Sequence, residues 1–557
     1  MYQTLFNKSK LLLILIGIVC NVLPTVAQTL SLGYPAVQDI LRREQLTGSF
    51  NPNISFTNFP LEISSLTGTS FADSLKKLTY TPISVAGFDV SVLSPYTKLE
   101  FQSHHPYPYN NGIILPAKGF SNVTSIGVAV RHKFLSIQLR PEFYSAQNKA
   151  YDGFPESHFD VIWGRRYQFW NRIDKPEQHG IGNRQIFDWG QSHAMITFDS
   201  YVGIGISNEN LWWGPGKRNT LLMSNNARGF QHLVLKTLQP IKTPIGHFET
   251  TIVSGFLEQS GFAPPDTTRS TLRNSPFYVP KRRGKRYLNA ITISYQPKWI
   301  KGLTLGGTRS FQMYYEFAKE TKSYFPILFN LFRKNDDDRN ERQIDQYLSF
   351  NGRWYWQDAL AEIYFEFGRN DASFNFRDFL ISPQHSRAYV IGFSKIFELK
   401  KNAIEVNYEH TELSQTLNYI IRNAGSWYLH ANVKQGYTNR GEVLGASIGP
   451  GSDMDHISIS YIKGFNKVGI LFERLANQQD FYYSAWDDIN DFRRFWIDYS
   501  FGVNGYWQFD NILIDGTFIF TRSLNYQWEI EELNIGIFDD GRDVSNLSFN
   551  LSIGYLF

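Results

Sequence analysis

The closing stretch of the chain, "NLSFNLSIGYLF", alternates without a break. Leu547, Phe549, Leu551, Ile553, Tyr555 and Phe557 fall on one face, and Ser548, Asn550 and Ser552 on the other. Strand side chains point to opposite faces in turn, so this is one strand, well beyond the about 5 to 6 residues usual in soluble sheets. The pattern recurs in "ALAEIYFEFG", where Ala361, Ile363, Phe365 and Phe367 oppose Glu362, Tyr364 and Glu366. It recurs again in "AIEVNYEHT", where Ile404, Val406 and Tyr408 oppose Glu405, Asn407 and Glu409. A transmembrane barrel puts the apolar face in lipid and the acids in the lumen, whereas a soluble sheet buries the apolar face. Periodicity alone fits both.

Connection lengths separate them. Short connections fall near 508–511, 464–466, 398–402, 356–358, 298–302 and 238–247, and long polar stretches near 523–545, 476–493, 413–454, 369–387, 316–345 and 259–286. This alternation is the short periplasmic turn and long extracellular loop of an outer-membrane barrel. The pattern predicts an all-β, antiparallel transmembrane barrel over residues 93–557, with about 16–18 strands. The ladder runs from residue 121 onward, and residues 94–103 and 413–454 are further strand candidates. Glu362, Glu366, Glu405, Glu409 and Asp498 are predicted to line the lumen.

Two segments change period. In "PAVQDILRREQLTG", Val37, Ile40 and Leu41 share a helix face, with Pro35 suited to the first turn and Gly48 to the stop. In "SHFDVIWGRRYQFWNRIDKPE", Phe159, Ile162, Trp163, Tyr167 and Trp170 repeat at helical spacing until Pro176. Loop parity assigns the insertion, residues 157–178, to the periplasmic side, and the N-terminal segment, residues 28–92, is expected there as well. There they either close the barrel from below or decorate it.

Composition then fixes the compartment. Lys8 and Lys10 precede an apolar run, Leu11 to Cys20, and Thr25-Val26-Ala27 is a small-residue cleavage site, so residues 1–27 read as a secretory signal peptide. The only cysteine lies in that leader, leaving no disulfide. A formal charge of +4, two units of it from the leader lysines, gives no field for nucleic acid. An aromatic share of 16% suits the interfacial belts of a barrel. The expected location is the outer membrane, with lipid and lipopolysaccharide around a monomer.

The most distinctive loop is "ENLWWGPGKRNTLLMSNNARGF", residues 209–230. Parity puts it at the extracellular end. Gly214-Pro215-Gly216 reverses the chain and presents Trp212 and Trp213 on a bend. Tryptophans stack on sugar rings, Lys217, Arg218 and Arg228 pair with uronate or phosphate, and Asn225 and Asn226 bond hydroxyls. These seven are the candidate polysaccharide-binding residues. The alternative is that the tryptophans are rim-belt residues and the arginine and asparagines pin the loop.

This stretch resembles the "WWGPG... SNNARPF" segment of the Wzi-type capsule assembly family, with Gly229 standing where the family has proline. The resemblance extends to "YPAVQDILRREQLTG", "PAKGFSNVTSIGVAV", "LSIQLRPEF", "GYTNRGEVLGASIGPGSD" and the closing strand. It implies an eighteen-stranded outer-membrane barrel, occluded by helices on the periplasmic side, acting as a lectin that holds capsular or extracellular polysaccharide. It brings no residue-level contacts.

Other chemistry is thinner. His456 and Ser458 share a strand face in "HISIS", as in outer-membrane phospholipases, but Ile459-Ser460 replaces the Asn-Gly that should follow. Glu362 with Glu366, or Glu405 with Glu409, lie about 13 Å apart along a strand, too far for a glycosidase pair. Asp336, Asp337 and Asp338 lack the glycine and distal glutamate of a calcium loop, so neither metal nor other cofactor is expected. The basic run Lys281 to Arg286 suits surface anions. A non-catalytic anchor is therefore the main expectation, with a porin and an outer-membrane hydrolase as alternatives.

Overall fold

The computed structural model describes residues 29–30, 32, 35–66, 83–85, 87–198, 201–271, 274–321, 344–370, 376–487, 491–530 and 541–555. The predicted leader, Asp336 to Asp338 and Phe557 lie outside them.

The main sheet is antiparallel throughout and closes on itself, the last strand, Val544–Tyr555, pairing with the first, Phe88–Gln102, through Ser548↔Gln102 to Gly554↔Tyr96. Two strands are interrupted, Leu135–Leu139 with Glu142–Ala146 and Arg184–Asp188 with His193–Phe198. Counting each once, and leaving aside the hairpin arms Ile83–Val85 and Ile241–Thr243, the barrel has 18 strands. The first strand starts at Phe88, five residues before the expected boundary. The 413–452 region adds no barrel strand. It holds only the two-residue ladder Thr438–Asn439 with Glu442–Val443.

Alternation decides the faces as predicted. Ile363, Phe365, Ile391, Ile457, Phe501 and Phe518 are exposed outward, where lipid covers them, while Ser548, Asn550 and Ser552 are buried inside. Turns of a few residues, such as 400–401, 464–465 and 510–511, sit at the end where the last strand finishes, and the long loops at the other. By the barrel rule the first end is periplasmic.

The lumen is filled from both ends. Helix α1, Pro35–Leu46, enters at the short-turn end, where the Gln357 side-chain amide donates to the Gln45 carbonyl at 3.3 Å. Val37, Ile40 and Leu41 face a core shared with Phe50, Phe56 and Phe59. The N-terminal segment, expected as a periplasmic piece, thus runs into the lumen. Asn58–Phe59 forms a ladder with Trp212–Trp213, deep inside.

The second predicted helix lies elsewhere. Helix α2, Asp160–Trp170, stands at the long-loop end, because the chain turns at Lys133 and climbs back through Leu135–Leu139 and Glu142–Ala146. The sequence suggests one ascending strand over residues 194–207, but His193–Phe198 and Val202–Ser207 pair antiparallel, so the segment before them is reached from the opposite end.

Candidate functional site

The loop 208–231 leaves the barrel at its long-loop end, as parity required, but folds inward rather than out. Trp213 is 0% exposed and Trp212 8%. Leu221, Leu222 and Met223 are buried with Trp213 against Trp427, Tyr428 and Val443 of the 413–452 loop. The signal was present: an apolar run such as Leu221-Leu222-Met223 has no reason to face water.

The bend is clamped by inward carboxylates. Glu409 accepts from three successive backbone amides, Lys217 at 2.6 Å, Arg218 at 3.0 Å and Asn219 at 2.7 Å, and from the Tyr364 hydroxyl at 2.8 Å. Glu366 accepts from the Leu221 amide and the Thr220 hydroxyl, each at 3.0 Å. The glycines make this approach possible. A Cβ on Gly216 would lie 1.8 Å from the Asn219 carbonyl oxygen, and one on Gly214, at φ 140°, would lie 2.7 Å from Glu366 Oε2.

Below the bend the charges pair among themselves. Arg42 Nε and Arg353 Nε donate to Glu362 at 2.9 and 2.7 Å, and Arg42 Nη1 reaches the Pro215 carbonyl at 2.7 Å. Lys467 bridges Asp39 at 2.9 Å and Glu405 at 2.8 Å, and Lys217 joins Glu405 at 3.2 Å. Burial pushes the Asp39 carboxyl up, but Lys467, Lys217 and Arg43 outweigh it and hold the group below its ordinary value.

The seven candidate residues are therefore together but committed. Arg218 donates to Glu473 at 2.9 Å and to the Pro108 carbonyl at 2.7 Å, and Arg228 faces Asp188 at 3.5 Å. The Asn225 amide donates to the Asn110 carbonyl and the Asn226 amide to the Val443 carbonyl, both at 2.9 Å. The expectation that the cations of this loop meet an outside anion is corrected: each has an internal carboxylate. Glu362, Glu366, Glu405 and Glu409 face inward as predicted, yet hold protein rather than water. Asp498 accepts from Trp496 Nε1 at 2.8 Å and Asn477 at 3.0 Å near the cap.

The cap is built differently. Helix α2 packs on helix α3, Gln479–Trp486, through an aromatic cluster of Phe154, Trp163, Tyr167, Trp170, Phe481, Trp486 and Trp528. The Arg166 guanidinium lies over four of these rings, 4.8 Å from Trp170, 5.0 Å from Phe481, 5.3 Å from Trp528 and 5.4 Å from Phe154. Two cavities flank the Tyr107-Pro108-Tyr109 loop. The inner one, about 330 Å³, borders α1, Lys217, Lys467 and Tyr506, and the outer one, about 190 Å³, lies between α2 and the plug. The outer walls include Tyr107, Arg166, Glu177, Glu442, Trp496 and Gln527, which sequence reasoning did not single out. The Pro-Tyr repeat of "HHPYPYN" was the available sign.

Elsewhere, His456 Nδ1 faces Glu473 at 2.7 Å while the Ser458 hydroxyl accepts from Asn407 at 3.5 Å. Of the basic run, Arg282, Arg283 and Lys285 are exposed, but Arg286 is buried and bonded to the carbonyls of Gly436 and Thr438 at 2.7 Å.

The family model "Capsule assembly protein Wzi" matches residues 110–507. No match is found among curated protein sequences. Among solved structures, the chain resembles Wzi of Escherichia coli, an outer-membrane protein described as a carbohydrate-binding β-barrel involved in group 1 capsule assembly. That match has a TM-score of 0.59 at 11% identity and covers 96% of this chain and 99% of that one. The OccAB2 protein of Acinetobacter baumannii (TM-score 0.39, 9% identity, 84% of this chain and 98% of that one) and a BenF-like porin of Pseudomonas fluorescens (0.36, 8%, 84% and 99%) are more distant. With more than half of its length matched by the family model, and with an outer-membrane barrel around a folded-in "WWGPG" bend, this chain belongs to the Wzi capsule assembly family.

Proposed function

We propose that this protein is a non-catalytic outer-membrane anchor that holds capsular or extracellular polysaccharide through its outer cap. The observation that carries this is how the charges are used. The ion pairs of the lumen are closed on one another, Arg42 and Arg353 on Glu362, Lys217 and Lys467 on Glu405, whereas the outward end offers aromatic and polar walls. A lumen packed with α1 and the 208–231 loop disfavours the porin reading. Carboxylates spent on holding that loop disfavour the hydrolase reading. The exposed Arg283 and Lys285 suit lipopolysaccharide phosphates around a monomeric barrel, while Arg282 pairs with Glu316.

Deleting the gene and measuring cell-bound against released polysaccharide tests this. The expected result is a shift from bound to released. Unchanged retention, together with no binding of purified glycan to the protein, would end the anchor reading.

A further inference from the structure

The outer cavity makes a narrower statement possible. We propose that it is a subsite for a single uncharged, hydroxyl-rich sugar residue of the polysaccharide, an assignment that rests on the anchoring function above. Its volume of about 190 Å³ is below the about 300–1,000 Å³ of drug-sized ligand sites, a space for one ring rather than a chain. Tyr151, Phe169, Lys175 and Leu429 on its wall are half-buried, so it reaches the surface along that side.

The walls have the two properties a sugar needs. Aromatic faces are supplied by Tyr107 and Tyr109, whose ring centroids lie 4.7 Å apart, and by Trp170, Trp496 and Tyr526. The C–H faces of a pyranose stack on such rings. Polar atoms wait beside them. Glu177 Oε2 and Gln527 Oε1 are buried acceptors with no hydrogen-bond donor, Glu442 Oε1 has only His179 Nε2 at 3.7 Å, and the Tyr107 and Tyr109 hydroxyls form no hydrogen bond. Buried polar atoms are normally paired, and each left unpaired costs free energy, so a group of them on one cavity wall points to something that completes it. What completes acceptors is a hydroxyl or amide donor.

The charge balance sets the class of sugar. Glu177, Glu442 and Asp498 outnumber Arg166 and Lys175 on these walls. Lys175 Nζ lies 3.3 Å from Glu442, and Arg166 donates to Gln478 through Nη1 at 2.5 Å, its guanidinium ringed by aromatics and its Nε left without a partner. A uronate or phosphate would face three carboxylates, with Lys175 already paired to Glu442 and Arg166 screened by rings. The loop cations that could have served an acidic sugar, Lys217, Arg218 and Arg228, are closed on Glu405, Glu473 and Asp188.

The test uses the full-length protein in detergent and the polysaccharide shed by the deletion strain. That material is cleaved to oligosaccharides and split by anion exchange into neutral and acidic pools. The intact polysaccharide should bind, and the neutral pool should compete with it. Tyr107→Phe and Glu442→Gln should each weaken binding by about tenfold, the scale of one lost hydrogen bond of this kind. Tyr107→Phe removes a hydroxyl that bonds nothing in the structure, so its thermal unfolding should match the parent. A purely structural tyrosine predicts unchanged binding as well. Wild-type affinity in both variants, or competition by the acidic pool with a neutral pool that is empty or inert, overturns the subsite while leaving the anchor intact. Failure of the intact polysaccharide to bind overturns both.

Discussion

Plug and cap are both buried, yet they are held by opposite chemistry. In the plug, long cations and carboxylates are matched pair by pair: Glu362 takes Arg42 and Arg353, Glu405 takes Lys217 and Lys467, and Glu409 takes three backbone amides. In the cap, α2 and α3 meet through rings, and polar atoms of Tyr107, Glu177, Glu442 and Gln527 stay open. In the plug the charges are neutralised by one another, although Arg42 Nη2, Arg353 Nη2 and Glu366 Oε1 keep no partner, and removing one member strands a buried charge; in the cap the unpartnered atoms are mostly acceptors beside a cavity, where a donor can reach them. The difference separates a structural filling from a working face.

The comparison breaks most readily at Glu362. Glu362→Ala leaves Arg42 and Arg353 buried without their acceptor, a loss of about 3–5 kcal/mol. Hydrogen exchange should show α1 opening while the barrel strands stay protected. Equal protection of α1 in the variant would mean the pairs are not what seats it. Gly216→Ala should follow at about 1–3 kcal/mol, since the added Cβ overlaps the Asn219 carbonyl. Its readout is Trp212 and Trp213 fluorescence, red-shifted as water reaches the bend. An unshifted spectrum would show that the loop absorbs the methyl group.

The smallest effect belongs to the cap. Burial holds His158 down to about 4, with its Nε2 facing the Gln527 carbonyl at 2.9 Å. The folded cap keeps this ring neutral where the unfolded chain, at about 6.5, takes up a proton. Its contribution is therefore complete above about 6.5 and is lost as pH falls toward 4. Asp480, pushed up to about 6 by burial, works the other way and gains with acid. Replacement isolates the histidine: His158→Gln should soften the loss of cap stability between pH 6.5 and 4, followed by urea unfolding. An identical pH slope in parent and variant would contradict the assignment.

Much of this was legible before any coordinates. Strand alternation gave the lipid face, and turn lengths gave the order of strands, because a two-residue period and short periplasmic turns are local properties. The inward direction of Glu362, Glu366, Glu405 and Glu409 followed from the same period. What those acids touch did not, since their partners lie as far off as Arg42, 320 residues away. The 208–231 loop was placed at the right end and given the wrong neighbours for that reason. Charge and tryptophan on a loop look alike whether they meet solvent or a lumen, and only the apolar Leu221-Leu222-Met223 run distinguishes them. α2 was found as a helix but set at the wrong end, because residues 194–207, taken as one ascending strand, are two antiparallel ones, His193–Phe198 and Val202–Ser207, and that reversal inverts the parity of whatever is counted back past it.

The claim on which the rest depends is that the lumen is filled as structure and the cap does the work. Single-channel recording of the intact protein in planar bilayers tests it directly. The account predicts no steady conductance from the parent and the appearance of openings in Glu362→Ala as α1 loosens. A large, steady conductance from the parent would contradict it.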